Sequence, residues 1–147
     1  DKFIDDIYNS KYSEFFNCPI AMLDKRRDGN NDKAIGTTII GNVKGKNAII
    51  FDDEIDTAGS MIETVKVLNK FGAKAIYAGC THGVLSGPAI ERIKNSDIKE
   101  LVITNTIPLT YEKKIDNITV LSIAPLFAET IKRLNEKKPL GELLRKR

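Results

Sequence analysis

Residues 49–60 read IIFDDEIDTAGS. An apolar run meets Asp52, Asp53 and Glu54, then Asp56, then the small residues Thr57, Ala58, Gly59 and Ser60. Residues 48–51 are apolar without a break, which predicts a strand buried on both faces and ending at Phe51. Residues 60–74, SMIETVKVLNKFGAK, set Met61, Ile62, Val65, Leu68 and Phe71 at helical spacing, and Gly72 supplies the stop. Strand, acidic turn and helix in that order form one unit of an open parallel sheet. Ligands of such sheets bind beyond the carboxyl ends of the strands.

Working outward, the same alternation recurs. AIYAGC (75–80), ELVITN (100–105) and ITVLSI (118–123) read as strands. GPAIERIKNS (87–96) and PLFAETIKRLNEKK (125–138) read as helices, each with a proline near its first turn. Upstream, Phe3, Ile4, Ile7, Tyr8, Tyr12, Phe15 and Phe16 fall on one helical face, and IAML (20–23) is a short strand. DKRRDGNNDKA (24–34) is polar and densely charged, and predicts an exposed, mobile loop. IGTTIIGNVKGKNAIIFDD (35–53) holds two strand-like runs around Gly41, Lys44 and Gly45. The tail PLGELLRKR predicts at most a further turn. The class is α/β, with a mostly parallel sheet flanked by helices. No internal repeat or linker divides the 147 residues, so residues 1–147 read as a single domain.

Composition narrows the function classes. With 41% hydrophobic and 29% charged residues the chain is globular. A net charge of +3 is too mild for a nucleic-acid partner, which needs a concentrated basic face. No apolar run approaches the roughly 20 residues that cross a bilayer, so no membrane partner is expected. Cys18 and Cys80 lack a disulfide or zinc spacing and read as reduced thiols of a cytoplasmic protein.

The acidic turn needs a partner, because adjacent like charges repel. A helix N-terminus offers free backbone N–H groups and the positive end of a dipole. Thr57, Ala58, Gly59 and Ser60 are small enough for a phosphate to approach the backbone, and Thr57 and Ser60 add hydroxyl donors. The GxxxxGK[ST] pattern of a P-loop is absent. Ionised Asp52 and Asp53 only accept hydrogen bonds, so they suit vicinal hydroxyls or hydrated Mg²⁺. A sugar carrying a diol and a phosphate, such as ribose 5-phosphate, satisfies both halves. The alternative is that Asp56 or Thr57 merely caps the helix while the acid pair is solvated.

IIFDDEIDTAGS resembles the phosphoribosyl-pyrophosphate motif of the type I phosphoribosyltransferase fold. Its Asp-Thr-Ala-Gly form is similar to that of the ribose-phosphate diphosphokinase family. LDKRRDGN, GNVKGK, CTHGVLSGPAIERI, VITNTIPL and VLSIAPLFAETIKR resemble the C-terminal half of the same enzymes, in the same order. The resemblance covers about residues 18–147. It implies transfer of the diphosphoryl group of ATP to the 1-hydroxyl of ribose 5-phosphate, with Mg²⁺ as cofactor.

By that resemblance Asp52 and Asp53 hold the ribose hydroxyls, with Mg²⁺ bound through water. Asp56, Thr57, Ala58, Gly59 and Ser60 cradle the 5-phosphate. Lys25 and Arg27 are the catalytic pair on a flexible loop, with Arg26 secondary. Ser86 and Gly87 belong to a regulatory, phosphate-accepting loop, and the family assembles as homo-oligomers. Glu54 stands where an apolar residue is expected and reads as solvent-facing. His82, the one histidine, reads as structural rather than as a base. The chain resembles the second of two similar domains, so the expectation is a domain without its N-terminal companion and with little turnover alone. Two other readings share the motif: a salvage phosphoribosyltransferase, and a non-catalytic regulatory subunit of the synthetase. Neither a base-recognition hood nor a separate pyrophosphate loop is found for the first. Intact Lys25, Arg27, Asp52 and Asp53 speak against the second.

Overall fold

A computed structural model describes residues 13–27 and 34–145. Much of the amphipathic stretch expected at 2–16 therefore lies outside the described residues; residues 13–16 are helical. A hairpin follows, of strands β1 (Met22–Arg27) and β2 (Ala34–Ile40), paired antiparallel with Met22 opposite Ile40 and Lys25 opposite Thr37. The main sheet has four strands, β3 (Asn47–Ile55), β4 (Ala75–Gly83), β5 (Ile98–Thr104) and β6 (Ile118–Leu121), all parallel and adjacent in chain order. Helix α1 (Gly59–Lys70) connects β3 to β4, and α2 (Ala89–Lys94) connects β4 to β5. A 3₁₀ turn at Tyr111–Lys113 precedes β6, and α3 (Ala124–Asn135) and α4 (Gly141–Arg145) close the described chain.

The α/β reading and its parallel sheet are therefore observed, with two differences. The loop expected over 24–34 is shorter: residues 24–27 belong to β1. Thr37, Thr38, Ile39 and Ile40 form a β-branched run suited to a ladder, and a two-stranded hairpin tolerates charges because neither of its edges is enclosed by further strands. The second difference is that β3 does not stop at Phe51. Backbone pairing with β4 carries it on, Asp52 opposite Cys80, Glu54 opposite His82 and Ile55 opposite Gly83. The acids thus lie on the end of a strand, held by the ladder, and the turn begins only at Asp56.

The core lies on one face of the sheet. Ile76, Ala78 and Cys80 of β4 and Leu101 and Ile103 of β5 meet Met61, Val65 and Leu68 of α1 and Ala89 and Ile93 of α2. Positions 61, 65 and 68 are one helical stripe. Helix α1 ends where Gly72 takes φ +81°: its N–H bonds Asn69 O at 2.9 Å and the Ala73 N–H bonds Leu68 O at 3.0 Å. Among the described residues, the opposite face of β3 keeps substantial exposure, contrary to the expectation of two buried faces: Ile49 is 51% and Phe51 38% exposed. The Phe16 ring stacks on Phe51, with centroids 6.0 Å apart. Phe127, Ile131 and Leu134 on α3 are also largely exposed, because α3 buries none of its residues.

Leu101 is fully buried in the sheet interior. Leu101→Ala is expected to cost about 2–5 kcal/mol in a urea titration, through lost burial and a residual cavity. Ile131→Ser, on the uncovered face of α3, is expected to move the same titration by less than about 0.5 kcal/mol.

Candidate functional site

The carboxyl end of β3, the turn after it and the start of α1 line a depression of about 180 Å³. Asp52, Glu54, Ile55, Asp56, Thr57, Ala58, Gly59, Ser60 and Met61 line it. Asp52 and Glu54 are two apart on one strand, so their side chains leave the same face. Asp53 is exposed and is not part of this lining. Ile55 and Met61 form the buried floor.

The entry to α1 has no side-chain cap, as is also true of α2 and α3; what sets it apart is its left-handed N-cap residue. Ala58 occupies the N-cap position in the left-handed region, φ 59°, and no side chain bonds the first-turn N–H groups. No acidic residue stands in that turn. The capping role considered for Asp56 or Thr57 is thus not taken up. A helix end without a side-chain cap or a first-turn acid leaves its backbone N–H groups to face the depression, a favourable place for an anion even with the carboxylates of Asp52, Glu54 and Asp56 in the same lining. The left-handed region costs a residue with a Cβ roughly 1 kcal/mol, and the burial of Ala58 helps hold it there.

Around this loop the acids are differently employed. The Asp56 carboxylate accepts a hydrogen bond from the Ser86 hydroxyl, and its backbone carbonyl accepts one from the Ser86 N–H at 2.9 Å. The Asp52 carboxylate accepts the Asp53 N–H at 2.9 Å. Partial burial, followed by the adjoining Asp53, raises the Asp52 carboxyl above the ordinary aspartate range. Beside it, burial pushes the Cys80 thiol up to about 11, and the charges of Asp52 and Asp53 add to the effect. Cys80 is therefore a protonated thiol at neutral pH. Neither it nor the exposed Cys18 is in a disulfide.

Among the described residues no group of three His, Cys, Asp or Glu side chains is arranged to hold a metal. Asp52 and Asp53 do present carboxylate oxygens, the donor type Mg²⁺ takes, and Mg²⁺ commonly keeps several waters beside one or two carboxylates. Of the pair, only Asp52 lines the depression, and its carboxylate is of the donor type that a hydrated Mg²⁺ takes.

Of the residues singled out in the sequence, Asp52, Asp56, Thr57, Ala58, Gly59 and Ser60 are brought to the depression. Lys25 and Arg27 lie on β1, and residues 28–33 of their loop lie outside the described residues. Ser86 reaches the site only through Asp56. Gly87 has φ +50° and no atom within 4 Å of where a Cβ would sit. His82 Nδ1 lies 2.9 Å from the Thr106 hydroxyl, and the Thr104 hydroxyl donates to Thr81 O at 2.6 Å, joining the ends of β4 and β5. Glu54 is exposed, as its reading from the sequence has it, and it also lines the depression, on the same strand face as Asp52; Arg92 reaches the loop as well. For Arg92 there was no sequence signal, since it is 35 residues from its partner Thr57.

The family profile described as the phosphoribosyl synthetase-associated domain matches residues 27–145. The chain belongs to that family. Among its relatives, the ribose-phosphate pyrophosphokinase of Clostridium acetobutylicum is 54% identical over 133 residues, covering 90% of this chain and 41% of the relative. That of Halalkalibacterium halodurans is 56% identical, over 90% of this chain and 42% of the relative. The crystal structure of phosphoribosylpyrophosphate synthetase from Mycobacterium smegmatis superposes with a TM-score of 0.79 at 39% identity, covering 87% of this chain and 41% of that one. The chain thus spans about two fifths of the length of the family members it matches.

The raised Asp52 pKa gives a signed expectation. A carboxyl whose pKa is higher in the folded than in the unfolded state opposes folding once it is ionised, and the opposition disappears as pH falls below both values. Asp52→Asn is therefore expected to raise Tm at neutral pH. The gain should shrink towards zero as melts are repeated from about pH 8 down to about pH 3.5. A gain independent of pH would contradict the assignment.

Proposed function

We propose that this domain supplies the ribose 5-phosphate site of a ribose-phosphate diphosphokinase. The reaction is transfer of the diphosphoryl group of ATP to the 1-hydroxyl of ribose 5-phosphate, yielding phosphoribosyl pyrophosphate and AMP. One observation carries the reading: a carboxylate acceptor, Asp52, and an uncapped helix N-terminus line the same depression. An anion-only site would have no use for the acceptor, and a neutral sugar would have no use for the helix end. A sugar phosphate uses both.

In this reading the first-turn N–H groups of α1, with the Thr57 and Ser60 hydroxyls, take the 5-phosphate. Asp52, with Asp53 beside it in the chain, accepts the ribose hydroxyls and fixes the ring so that the 1-hydroxyl is presented for attack. Holding both ends of the acceptor restricts its rotation, which is where much of a transferase's rate advantage arises. Lys25 and Arg27 place positive charge on the diphosphoryl oxygens as charge develops there. Mg²⁺, when held through water by Asp52 and Asp53, would neutralise charge on the phosphate oxygens. A cytoplasmic, self-associating enzyme belongs to the same reading, on the strength of the family resemblance.

Calorimetric titration of the chain with ribose 5-phosphate tests the site. Asp52→Ala and Asp53→Ala are each expected to weaken binding by about tenfold or more, as loss of charge-assisted hydrogen bonds does. In a family enzyme carrying this domain, Lys25→Ala is expected to lower turnover by about 10²-fold or more while leaving ribose 5-phosphate affinity within a few fold, read as AMP release from ATP. Unchanged binding in both aspartate variants would overturn the reading.

A further inference from the structure

Helix α2 delivers a guanidinium to the back of the α1 loop. Arg92 Nη1 donates to Thr57 O at 2.8 Å, and it lies 3.5 Å from the point where a Cβ on Gly59 would stand. Arg92 is not part of the lining of the depression, so it approaches the loop from outside the site. The N-terminus of α1 is already positive, has no acid in its first turn, and gains a second positive group there. An anion bound at the loop would turn that repulsion into attraction for both.

The loop is gripped at further points from the same direction. Leu85 N–H bonds Ile55 O at 3.0 Å, Ser86 N–H bonds Asp56 O at 2.9 Å, and the Ser86 hydroxyl donates to the Asp56 carboxylate. Leu85 is itself left-handed, φ 52°, and is held in that conformation by nearly complete burial. Lys113 Nζ fixes the preceding residue by donating to Val84 O at 2.9 Å. Residues 55, 56 and 57 therefore each have a backbone carbonyl tied to the segment that follows β4.

We propose that Arg92 is a positioning residue for the phosphate subsite. Its hydrogen bond to Thr57 O sets the loop conformation that aims the N–H groups of α1, and its charge adds to the field that an incoming phosphate meets. This inference rests on the ribose 5-phosphate reading for the identity of the ligand, while the loop brace stands independently of it. The two roles separate Arg92 from an ordinary stabilising contact. A merely structural arginine would lower the stability of the ligand-free chain when removed. A cation beside the positive end of a helix loses unfavourable repulsion together with its hydrogen bond.

The test compares wild type, Arg92→Ala and Arg92→Lys in three measurements on the same chain: ligand-free Tm, amide hydrogen exchange over residues 57–61, and titration with ribose 5-phosphate. Arg92→Ala is expected to leave the ligand-free Tm nearly unchanged, to speed exchange over the loop, and to weaken ribose 5-phosphate binding by about tenfold. Arg92→Lys is expected to recover part of the affinity, because the charge is kept. Ser86→Ala should show the same loop exchange change in weaker form. Unchanged loop exchange in Arg92→Ala overturns the proposal. So does a large fall in ligand-free Tm with unchanged affinity, the mark of a structural role. Failure of wild type to bind ribose 5-phosphate overturns the ligand reading, and the exchange comparison then still decides for or against the brace.

Discussion

The parallel pairing of β3 with β4 is the constraint on which the site depends. It runs to the last residue of both strands, Ile55 opposite Gly83. Parallel strands end on the same side of a sheet, so the two loops that follow them emerge together. Their backbones then bond directly, Leu85 N–H to Ile55 O and Ser86 N–H to Asp56 O. A shift of one residue in this register would exchange the faces of the side chains. With β4 held by β5, Asp52 and Glu54 of β3 would leave the depression, and Ala48 and Ile50 would turn away from the core face.

That register also accounts for the acids. Side by side in a free turn, Asp52, Asp53 and Glu54 would repel at little structural gain. On a strand end they are separated by the pleat and fixed by the ladder. The remaining strain is local: Asp52 is partly desolvated and has its carboxyl raised by burial and by Asp53. Ala58 and Leu85 sit in left-handed conformations on the two facing loops. Such features cluster where a fold holds a site ready at some expense to its own stability. The expense is offset by the fully buried layer beneath, Ile76, Leu101, Ile103 and Ile93, which anchors the strands and α2.

Among the described residues, the two faces of the sheet are covered unequally. Helices α1 and α2 seal the face that carries Ile76, Ala78 and Leu101. Ile49 and Phe51 on the other face keep substantial exposure, and Phe16 meets Phe51 there. The continuous apolar run at 48–51 announced a strand suited to burial on both faces. Side-chain composition of a strand records which environments it suits, whereas covering a face requires another element packed upon it.

Much of the architecture was legible in the chain because it depends on local order. The stripe Met61, Val65, Leu68 fixes the core face of α1 by helical spacing alone, and Gly72 ends that helix because it tolerates φ +81°. The strand-to-helix unit around residues 49–60, with its small residues after the acids, located the depression. What tertiary structure decided was which neighbours these residues meet. The extension of β3 through Ile55 comes from hydrogen bonds to β4, which no local propensity of Asp52, Asp53 and Glu54 would favour. The strand assignment of Lys25 and Arg27 likewise comes from a partner strand. The engagement of Asp56 by Ser86, 30 residues away, and of Thr57 by Arg92, 35 residues away, is set by where the β4–α2 segment lands. Sequence determined the chemical groups and their local spacing; the parallel register determined which of them line the depression and which hold the loop from behind, because contacts distant in sequence exist only once the strands are aligned.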